Sequence, residues 1–455
     1  MQYSIIQKSQ LEGALRLDAE YYQPEYLSLI SKLKSQKSKF LKDFLKLLYR
    51  YPTFYNLQYY KEGVLVLKGE DITDDGFIEN QSKDFISIED AKRFTKTILN
   101  EGDLIFSVRG FVGKVGIVDS KYKGSIISAN LIRAVPKDIS PYFLWVFLNS
   151  KYGIKQMERV KMLTAQETII ADDIKNFLIP EIPRNDQLRI EDLAKQAIKE
   201  IRNSESFYSQ AEDLLLEELG LKDFKVEDDL FYVVNLSKIK SARRTDAEYF
   251  QPKYERLIER IKKYGTEPLL KVVENVPVRF NPKSQPTKVF RYVELSNITS
   301  SIGIIDGFSE VSGEEAPSRA KRILKANDVI ISSVEGSLEK VALVDKDQEG
   351  YLASNGFFQF RSKNILPEVL LVLAKSITFQ MQLEKQCAGT ILTAVPKEAI
   401  QNILIPILPK PTQQKIADLV RQSHEARKRA KQLLEEAKRQ VEKLINPSLP
   451  NFEVR

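Results

Sequence analysis

At 455 residues, the chain is too long for one ordinary hydrophobic core, so two or more domains are expected. Hydrophobic residues make up 43% and charged residues 29% of the sequence, a globular composition that excludes fibrous and disordered classes. The formal net charge of +7 favours a polyanionic partner such as nucleic acid.

The short apolar runs, the single cysteine and the single histidine exclude membrane-spanning proteins and several kinds of metal and catalytic site. The longest apolar run, 142–148, is far shorter than the ~20 residues of a membrane span. The first residues do not begin a signal peptide, so a cytoplasmic protein is expected. With only Cys387 and His424, the chain cannot form an internal disulfide, a cysteine zinc site, a catalytic triad or a histidine metal cluster. His424 lies in the charged run 421–429 and is expected to be an exposed helical residue.

The first predicted element opens both halves of the chain. Residues 17–26, Leu-Asp-Ala-Glu-Tyr-Tyr-Gln-Pro-Glu-Tyr, return at 245–254 as Thr-Asp-Ala-Glu-Tyr-Phe-Gln-Pro-Lys-Tyr. A tyrosine-rich helix is predicted after each, near 25–36 and 253–264. Such a long period, copied once, indicates a duplicated domain rather than a solenoid.

The middle of each half is predicted to form a mixed sheet. Alternating, β-branched segments such as 64–67 and 329–332 are separated by Gly and Asn-Asp turns. The repeat continues through this part in order, with 102–110 matching 327–336 and 114–119 matching 340–345.

Each half ends with a strand-like Leu-Ile-Pro-x-x-Pro exit, at 178–183 and 404–409. Proline removes a backbone donor and restricts the residue before it, so a long helix is predicted only beyond each exit. The two helices run roughly 186–219 and 412–445, and each has one narrow apolar seam. We expect them to pair as an antiparallel coiled coil; the alternative is a surface helix on its own domain.

The seam residues and the domain bounds follow from these elements. The seam candidates for pairing and subunit docking are Ile190, Leu193, Ile201, Leu215, Ile416, Val420, Leu434 and Val441. The predicted fold class is α/β (α+β), with two tandem-duplicated mixed domains separated by two long antiparallel coiled-coil helices. The predicted segments are a first domain at 1–183, a central helix at 184–220, a second domain at 221–409 and a C-terminal helix at 410–455.

The motifs of DNA-modifying enzymes are missing. The Asn-Pro pairs at 281–282 and 446–447 lack the second proline and the aromatic residue of a methyltransferase loop. Gly113-Lys114 is followed by Val115, where a phosphate-binding loop requires Ser or Thr. We therefore expect no catalytic residue, metal or cofactor in this chain.

Donor and aromatic clusters lie in the divergent parts of the repeats, 40–160 and 265–385. Arg and Lys donate to guanine and phosphate, whereas Asn and Gln pair bidentately with adenine. The DNA-binding candidates are Arg50, Tyr55, Asn56, Arg109, Lys114, Arg279, Asn281, Lys283, Gln285, Lys288, Arg291 and Lys340.

Together these motifs resemble the specificity subunits of type I restriction-modification systems. The resemblance is carried by 18–26 and its copy, by the Gly102-Asp and Asn327-Asp strand entries, and by the exits with their following Gln-x-x-Ile. It implies two target-recognition domains that each read half of a split double-stranded DNA site. It also implies that the two helices form an antiparallel spacer that docks two methyltransferase subunits.

The resemblance adds further expectations. A Gly-x-Thr turn before each exit makes Thr390 a candidate, while Met162-Leu-Thr lacks the glycine and makes Thr164 and Gln166 weaker matches. S-adenosylmethionine is expected in the partner methyltransferase subunits, and ATP and Mg²⁺ in a restriction subunit. Three other functions stay open: a similar subunit of another methylation-based phage-defence complex, a coiled-coil adaptor that binds only protein, and a stand-alone enzyme.

Overall fold

The computed structural model describes residues 4–11, 16–50, 57–80, 82–162, 167–388 and 393–448. The chain divides into two units: unit 1 comprises Met1–Ile201 and Arg427–Arg455, and unit 2 comprises Arg202–Ala426. Among the described helices, none is both long and apolar enough to cross a membrane.

Unit 1 opens with helix α1 (Pro24–Ser35), which begins at a proline. Proline suits the first turn because the N–H that it lacks would have no partner within the helix. Short strands and helices follow: β1 (Ser38–Phe40), β2 (Leu45–Arg50), β3 (Val64–Leu67), β4 (Phe85–Ile86), α2 (Ile88–Arg93), β5 (Leu104–Ser107), β6 (Val115–Ile117), β7 (Ile126–Ile127), β8 (Leu131–Pro136), α3 (Pro141–Leu148), α4 (Lys151–Val160), α5 (Ala171–Lys175) and β9 (Leu178–Pro180).

Three sheets form among the described strands of unit 1. The largest is antiparallel, in the order β2-β8-β5-β6, and the second has the order β4-β3-β7 with β3 parallel to β7. The third is the antiparallel pair β1-β9. Helix α3 is apolar on all sides and therefore lies inside the core. There the indole N–H of Trp145 donates to the carbonyl oxygens of Gly76 and Val115, at 3.1 and 3.2 Å.

The last element before unit 2 is the long helix α6 (Arg184–Glu218), which crosses from one unit into the other. The elements after it are α7 (Leu236–Ala242), α8 (Pro252–Lys262), β10 (Thr266–Pro268), α9 (Leu269–Val272), β11 (Val273–Asn275), β12 (Val289–Val293), β13 (Ile298–Thr299), β14 (Ile304–Ile305), β15 (Ser309–Ser312), β16 (Ala320–Ile323), β17 (Asp328–Ser332), β18 (Val341–Leu343), β19 (Leu352–Ser354), β20 (Phe357–Ser362), α10 (Pro367–Lys375), α11 (Ile377–Gln386), β21 (Leu404–Pro406) and α12 (Lys410–Ile445).

The sheets of unit 2 repeat the plan of unit 1 with additions. A six-stranded sheet has the order β11-β20-β17-β18-β14-β13, in which the first four strands correspond to β2-β8-β5-β6. A second sheet has the order β15-β12-β19-β16, with β12 parallel to β19 as β3 is to β7. The pair β10-β21 corresponds to β1-β9. The mixed sheets predicted from the sequence are thus confirmed.

The sequence repeat is also a repeat of buried contacts. In α4, the Gln156 side chain accepts from the Leu178 N–H at 2.7 Å and donates to the Leu178 carbonyl at 3.1 Å. Gln382 of α11 makes the same two bonds with Leu404, at 2.8 and 2.9 Å. These glutamines attach β9 and β21 to the preceding helices, and the predicted strand-like exits are confirmed.

A left-handed turn recurs before the strands β5 and β17. Gly102 has φ +86° and the equivalent Asn327 has φ +69°. Glycine and asparagine adopt this conformation most readily, which explains why these two residue types alternate at the position. The aspartate that follows is buried and paired with an arginine in both units: Asp103 with Arg133 at 2.7 Å, and Asp328 with Arg361 at 2.9 Å.

The long helices α6 and α12 lie within two residues of the predicted ranges, which are confirmed. In unit 2, the Ser204 and Ser423 hydroxyls are 3.2 Å apart, and Thr412 donates to Glu218 at 3.0 Å. The earlier residue of α6, Ser204, therefore faces the later residue of α12, Ser423. The parts of α6 and α12 that lie in unit 2 pair antiparallel.

Most seam candidates are buried: Ile190, Ile201, Leu215, Ile416, Val420, Leu434 and Val441, with Leu193 partly buried. In unit 1 they share one apolar cluster with Trp145, and in unit 2 they share one with Phe379. Each helix half is therefore part of its own unit's core as well as of the seam. The sequence offered pairing of the helices and packing of each helix on its own domain as alternatives. In the structure both occur.

Candidate nucleic-acid interface

In unit 1, two candidate arginines lie near each other. Arg50 ends β2, and Arg109 follows β5 and forms an isolated bridge with Thr168. Arg109 is exposed, whereas Arg50 is half-buried and its Nε has no hydrogen-bond partner within the described chain. Burial, and then the positive charge of Arg109, lowers the pKa of the Arg50 guanidinium. Neither arginine forms an ion pair with a described residue, and the side chain of Arg109 is exposed and can meet an anion.

An exposed aromatic ring adjoins this pair. Phe111 is 50% exposed, and its N–H donates to the Arg109 carbonyl at 3.1 Å. The ring centre of Phe111 lies 5.3 Å from Lys114 Nζ, and an exposed ring beside a cation can stack on a base or pack against a sugar. Sequence reasoning missed Phe111; the available signal was an aromatic residue in the glycine-bounded turn Gly110-Phe-Val-Gly113.

In unit 2, the candidates come from the connection between β11 and β12. The stretch 279–291 contains four cations and no acidic residue. Its exposed candidates are Arg279, Asn281, Lys283, Gln285, Lys288 and Arg291. The four cations form no ion pair with any residue in the described ranges. This stretch therefore presents unneutralised positive charge and two amide side chains on one surface segment.

A turn and a close backbone approach hold this stretch in place. The Asn281 side-chain oxygen accepts from the Lys283 N–H at 3.2 Å and caps a short turn. The carbonyl oxygen of Gln285 would lie 2.1 Å from a Cβ atom at Gly313. Only glycine permits this approach, so the end of β15 supports the candidate stretch directly.

Arg291 is oriented by aromatic side chains. Its Cζ lies 4.8 Å from the ring centre of Phe308, and its Nη1 donates to the Tyr351 hydroxyl at 3.1 Å. Contacts of this kind restrict the rotamers of an exposed arginine before any ligand arrives.

Lys114 and Lys340 hold the framework together. They are half-buried, and their Nζ atoms donate to the carbonyls of Ile72 and Ile298, at 3.0 and 3.1 Å. Lys114 also pairs with Asp74 at 2.7 Å. Both ammonium groups bond to equivalent main-chain carbonyls, so we assign the two lysines to the framework and leave them out of the proposed interface. Their contact with DNA stays a prediction.

The other candidates fall outside the described residues: Tyr55, Asn56, Thr164, Gln166 and Thr390. Among the described residues, no group of three His, Cys, Asp or Glu side chains is placed to hold a metal ion.

Two polar residues of α12 have partners from distant parts of the chain. Arg427, which interrupts the apolar seam in the sequence, forms a buried ion pair with Glu79 and lies 5.6 Å from the ring centre of Phe77. The expectation that His424 is exposed is wrong. His424 is half-buried, and its Nε2 donates to the Ile302 carbonyl at 2.9 Å. Both partners come from distant parts of the chain, which helical periodicity does not reveal.

Comparison with solved structures finds matches of low sequence identity that cover most of this chain. The S subunit of a type I restriction-modification system from M. genitalium is 14% identical, with 92% of this chain and 96% of that chain covered and a TM-score of 0.39. The HsdS subunit from Thermoanaerobacter tengcongensis is 15% identical, with coverage of 91% and 97% and a TM-score of 0.30. A chain from a structure of the type I R-M system, concerned with complex assembly and conformational transition, is 14% identical, with coverage of 91% and 98% and a TM-score of 0.30.

A comparison with curated proteins gives no match. The family described as the type I restriction modification DNA specificity domain matches the chain twice, over residues 34–206 and 279–439. The matched segments cover more than half of the sequence and include one copy in each part of the repeat. The chain therefore belongs to the family of type I restriction modification DNA specificity domains.

Proposed function

We propose that this chain is the DNA sequence-specificity subunit of a type I restriction-modification complex. In this proposal it binds a bipartite double-stranded site, docks two methyltransferase subunits and, where they exist, restriction subunits, and has no catalytic site of its own. S-adenosylmethionine would be bound by the methyltransferase subunits, and ATP and Mg²⁺ by the restriction subunit.

One observation carries the proposal: the two units share their framework contacts but differ in their exposed donors. The Gln156 and Gln382 bonds match within 0.2 Å between the units. By contrast, unit 1 presents Arg50 and Arg109 whereas unit 2 presents the stretch 279–291. A common framework with different donors is what two readers of different half-sites require.

Selection of duplexes from a random pool by the full chain with its methyltransferase partner tests the proposal. We expect a split motif, and we expect Arg109→Ala to weaken binding to it by about 1–3 kcal/mol if the guanidinium reads a base. Arg93→Ala is the matched control, because Arg93 is exposed and already paired with Asp90 at 3.1 Å. No enrichment of any motif would refute DNA reading, and equal losses for both variants would remove Arg109 from the interface.

A second measurement addresses the absence of catalysis. The purified chain alone is expected to show no methyl transfer from S-adenosylmethionine and no Mg²⁺-dependent cleavage of DNA. Activity that follows this chain through complete removal of its partners would contradict the proposal.

A further inference from the structure

Arg291 lies in the middle of β12, and its side chain is exposed. Glu310 stands directly opposite it on β15. The two side chains nevertheless form no ion pair, and Arg291 pairs with no other acidic residue in the described part of the chain. The guanidinium charge is therefore not neutralised by any described residue, and an exposed side chain can meet a ligand that offers acceptors.

The contacts that Arg291 does make are with aromatic residues. Its Cζ lies 4.8 Å from the ring centre of Phe308 and 5.6 Å from that of Tyr351, both within the ~6 Å range of cation–π contacts. The two rings meet edge to face, with their centres 5.4 Å apart. Nη1 donates to the Tyr351 hydroxyl at 3.1 Å, whereas Nε and Nη2 have no hydrogen bond to a described residue. The guanidinium is thus held at one nitrogen and free to donate from the other two.

Unit 1 has different residues at the equivalent positions. Arg291 and Tyr351 each come one residue before the first pair of the parallel ladder between β12 and β19. In the matching ladder of unit 1, between β3 and β7, these places are taken by Leu65 and Ser125. The main chain is the same, because the carbonyls of Ser125 and Tyr351 accept from equivalent N–H groups, at 2.8 and 2.9 Å. The shared framework therefore forms without this arginine and its aromatic partners.

A guanidinium held in one orientation suits a base edge. In the major groove, guanine presents two adjacent acceptors, N7 and O6, to the paired donors of an arginine. Adenine presents a donor beside its N7, which would face an arginine N–H, and so it is rejected. A phosphate supplies no sequence information and only positions the protein on the duplex. Orienting the side chain before the ligand arrives also lowers the entropic cost of binding.

We propose that Arg291 reads a guanine in the half-site of unit 2, with Phe308 and Tyr351 as positioning residues. The proposal rests on the proposed function, because it needs a chain that discriminates between DNA sequences. It adds the base and the residue that reads it. Since unit 1 has Leu65 in the equivalent place, this contact belongs to one half of the motif only.

Substituted duplexes test the proposal with the full wild-type chain assembled with its methyltransferase partner. Each guanine of the selected motif is replaced in turn by 7-deazaguanine, which lacks the N7 acceptor but keeps its Watson–Crick pairing. We expect one guanine, in one half of the motif, at which this replacement weakens binding about tenfold. If no guanine of the motif is sensitive, the proposal is overturned without recourse to any variant.

Arg291→Lys then assigns the sensitive guanine to its reader. Lysine keeps the charge but loses the bidentate fork. We expect this variant to bind the selected motif about tenfold more weakly, and 7-deazaguanine at the sensitive position to weaken it no further. Tyr351→Phe keeps the ring and removes the acceptor of Nη1. It should lose less affinity than Arg291→Lys, with the loss confined to duplexes that keep the guanine N7, as a positioning role requires.

Arg93→Lys is the matched control. Arg93 is an exposed arginine whose Cζ lies 5.6 Å from the ring centre of Phe94, but it is already paired with Asp90 at 3.1 Å. Its replacement should leave affinity and guanine dependence unchanged. Melting temperature should stay unchanged in all three variants.

Wild-type affinity and wild-type guanine dependence in Arg291→Lys would overturn the proposal. So would an Arg291→Ala chain that binds all duplexes more weakly by the same factor, since that result would place the guanidinium on a phosphate. If the wild-type chain selects no motif at all, the proposed function fails. A selected motif that Arg291 does not help to read defeats this inference alone.

Discussion

At the scale of single residues, the buried pair Arg427 and Glu79 ties α12 to unit 1. Both side chains are at most 4% exposed. Removing one partner of such a pair leaves a charge buried without its counter-ion, which costs about 3–5 kcal/mol, whereas replacing both by apolar residues costs much less. We therefore expect Arg427→Leu to destabilise unit 1 by that amount, and Arg427→Leu with Glu79→Leu to recover most of it.

Tryptophan fluorescence measures this effect in unit 1 alone. Trp145 is the only tryptophan of the chain and is fully buried in the core of unit 1. Urea unfolding followed at this residue should show a lower midpoint for the single variant than for the double variant. A double variant that is as destabilised as the single variant, or more so, would show that the two residues contribute nothing as a pair.

His424 is expected to make the stability of unit 2 depend on pH. Burial lowers its pKa, although the hydrogen bond to Ile302 acts in the opposite direction; Asp345 and Glu368 also raise the pKa, and Lys375 lowers it. The folded pKa lies below the unfolded value of about 6.5, so the contribution to stability is present above that pH and is lost as the pH falls through the folded value. We expect the protection of the amides in α10 and in 416–426, after correction for the intrinsic effect of pH on exchange, to fall on acidification.

The matched variant for this prediction is His424→Gln, which keeps an N–H donor but does not titrate. Its exchange rates, corrected for the intrinsic effect of pH, should change less than those of the wild-type chain between about pH 8 and about pH 5. Parallel profiles for the two proteins would exclude His424 as the source of the pH dependence.

At the scale of elements, the seam of α6 and α12 is expected to tolerate no charge that lacks a partner, unlike the paired Arg427. Ile201 and Leu434 are 1% and 0% exposed in the core of unit 1, so Asp at either position buries a carboxylate without a partner and costs several kcal/mol. The control is Gln432→Asp, because Gln432 is exposed on the same helix. The melting temperature should fall steeply in the two seam variants and stay unchanged in the control. Unchanged melting and partner assembly in both seam variants would refute the role of the seam.

The repeat explains how much of the fold could be predicted. The duplicated segments make the same buried hydrogen bonds and ion pairs in both units. The order of the opening helix, the exit strand and the long helix could therefore be predicted from matched positions in the sequence. Contacts between distant segments could not be predicted. Glu79 and Arg427, for example, lie in segments that share no sequence repeat or periodicity. The site was predictable only as clusters of donors: Arg50 and the stretch 279–291 stood out, whereas Phe111 did not. The bounds of the domains, the docking role of the seam and the DNA contacts stay predictions.

At the scale of the whole molecule, two similar units with different exposed donors predict a split DNA site with unlike halves. Equivalent faces on a duplex would lie about one helical turn apart, roughly 34–36 Å or 10 base pairs, leaving a gap of unspecified bases. Replacing residues 40–160 with the equivalent region of a relative should change one half-site and preserve the other half and the gap.

The methylated motif of this chimera, read by methylation-sensitive sequencing, is the deciding measurement. The wild-type chain expressed in the same host is the control. A continuous motif, or a change in both halves at once, would show that the units do not read independently.

Unit 1 combines the first and the last parts of the chain, whereas unit 2 is the uninterrupted segment 202–426. Because synthesis proceeds from the N-terminus, residues 4–201 of unit 1 leave the ribosome before unit 2, but the core of unit 1 is completed after it. Until Ala430, Leu434 and Ala437 emerge, their apolar partners on α6 remain uncovered. A nascent chain stalled at residue 426 would therefore contain all of unit 2 and an unfinished unit 1, the half then most exposed to chaperones and proteases.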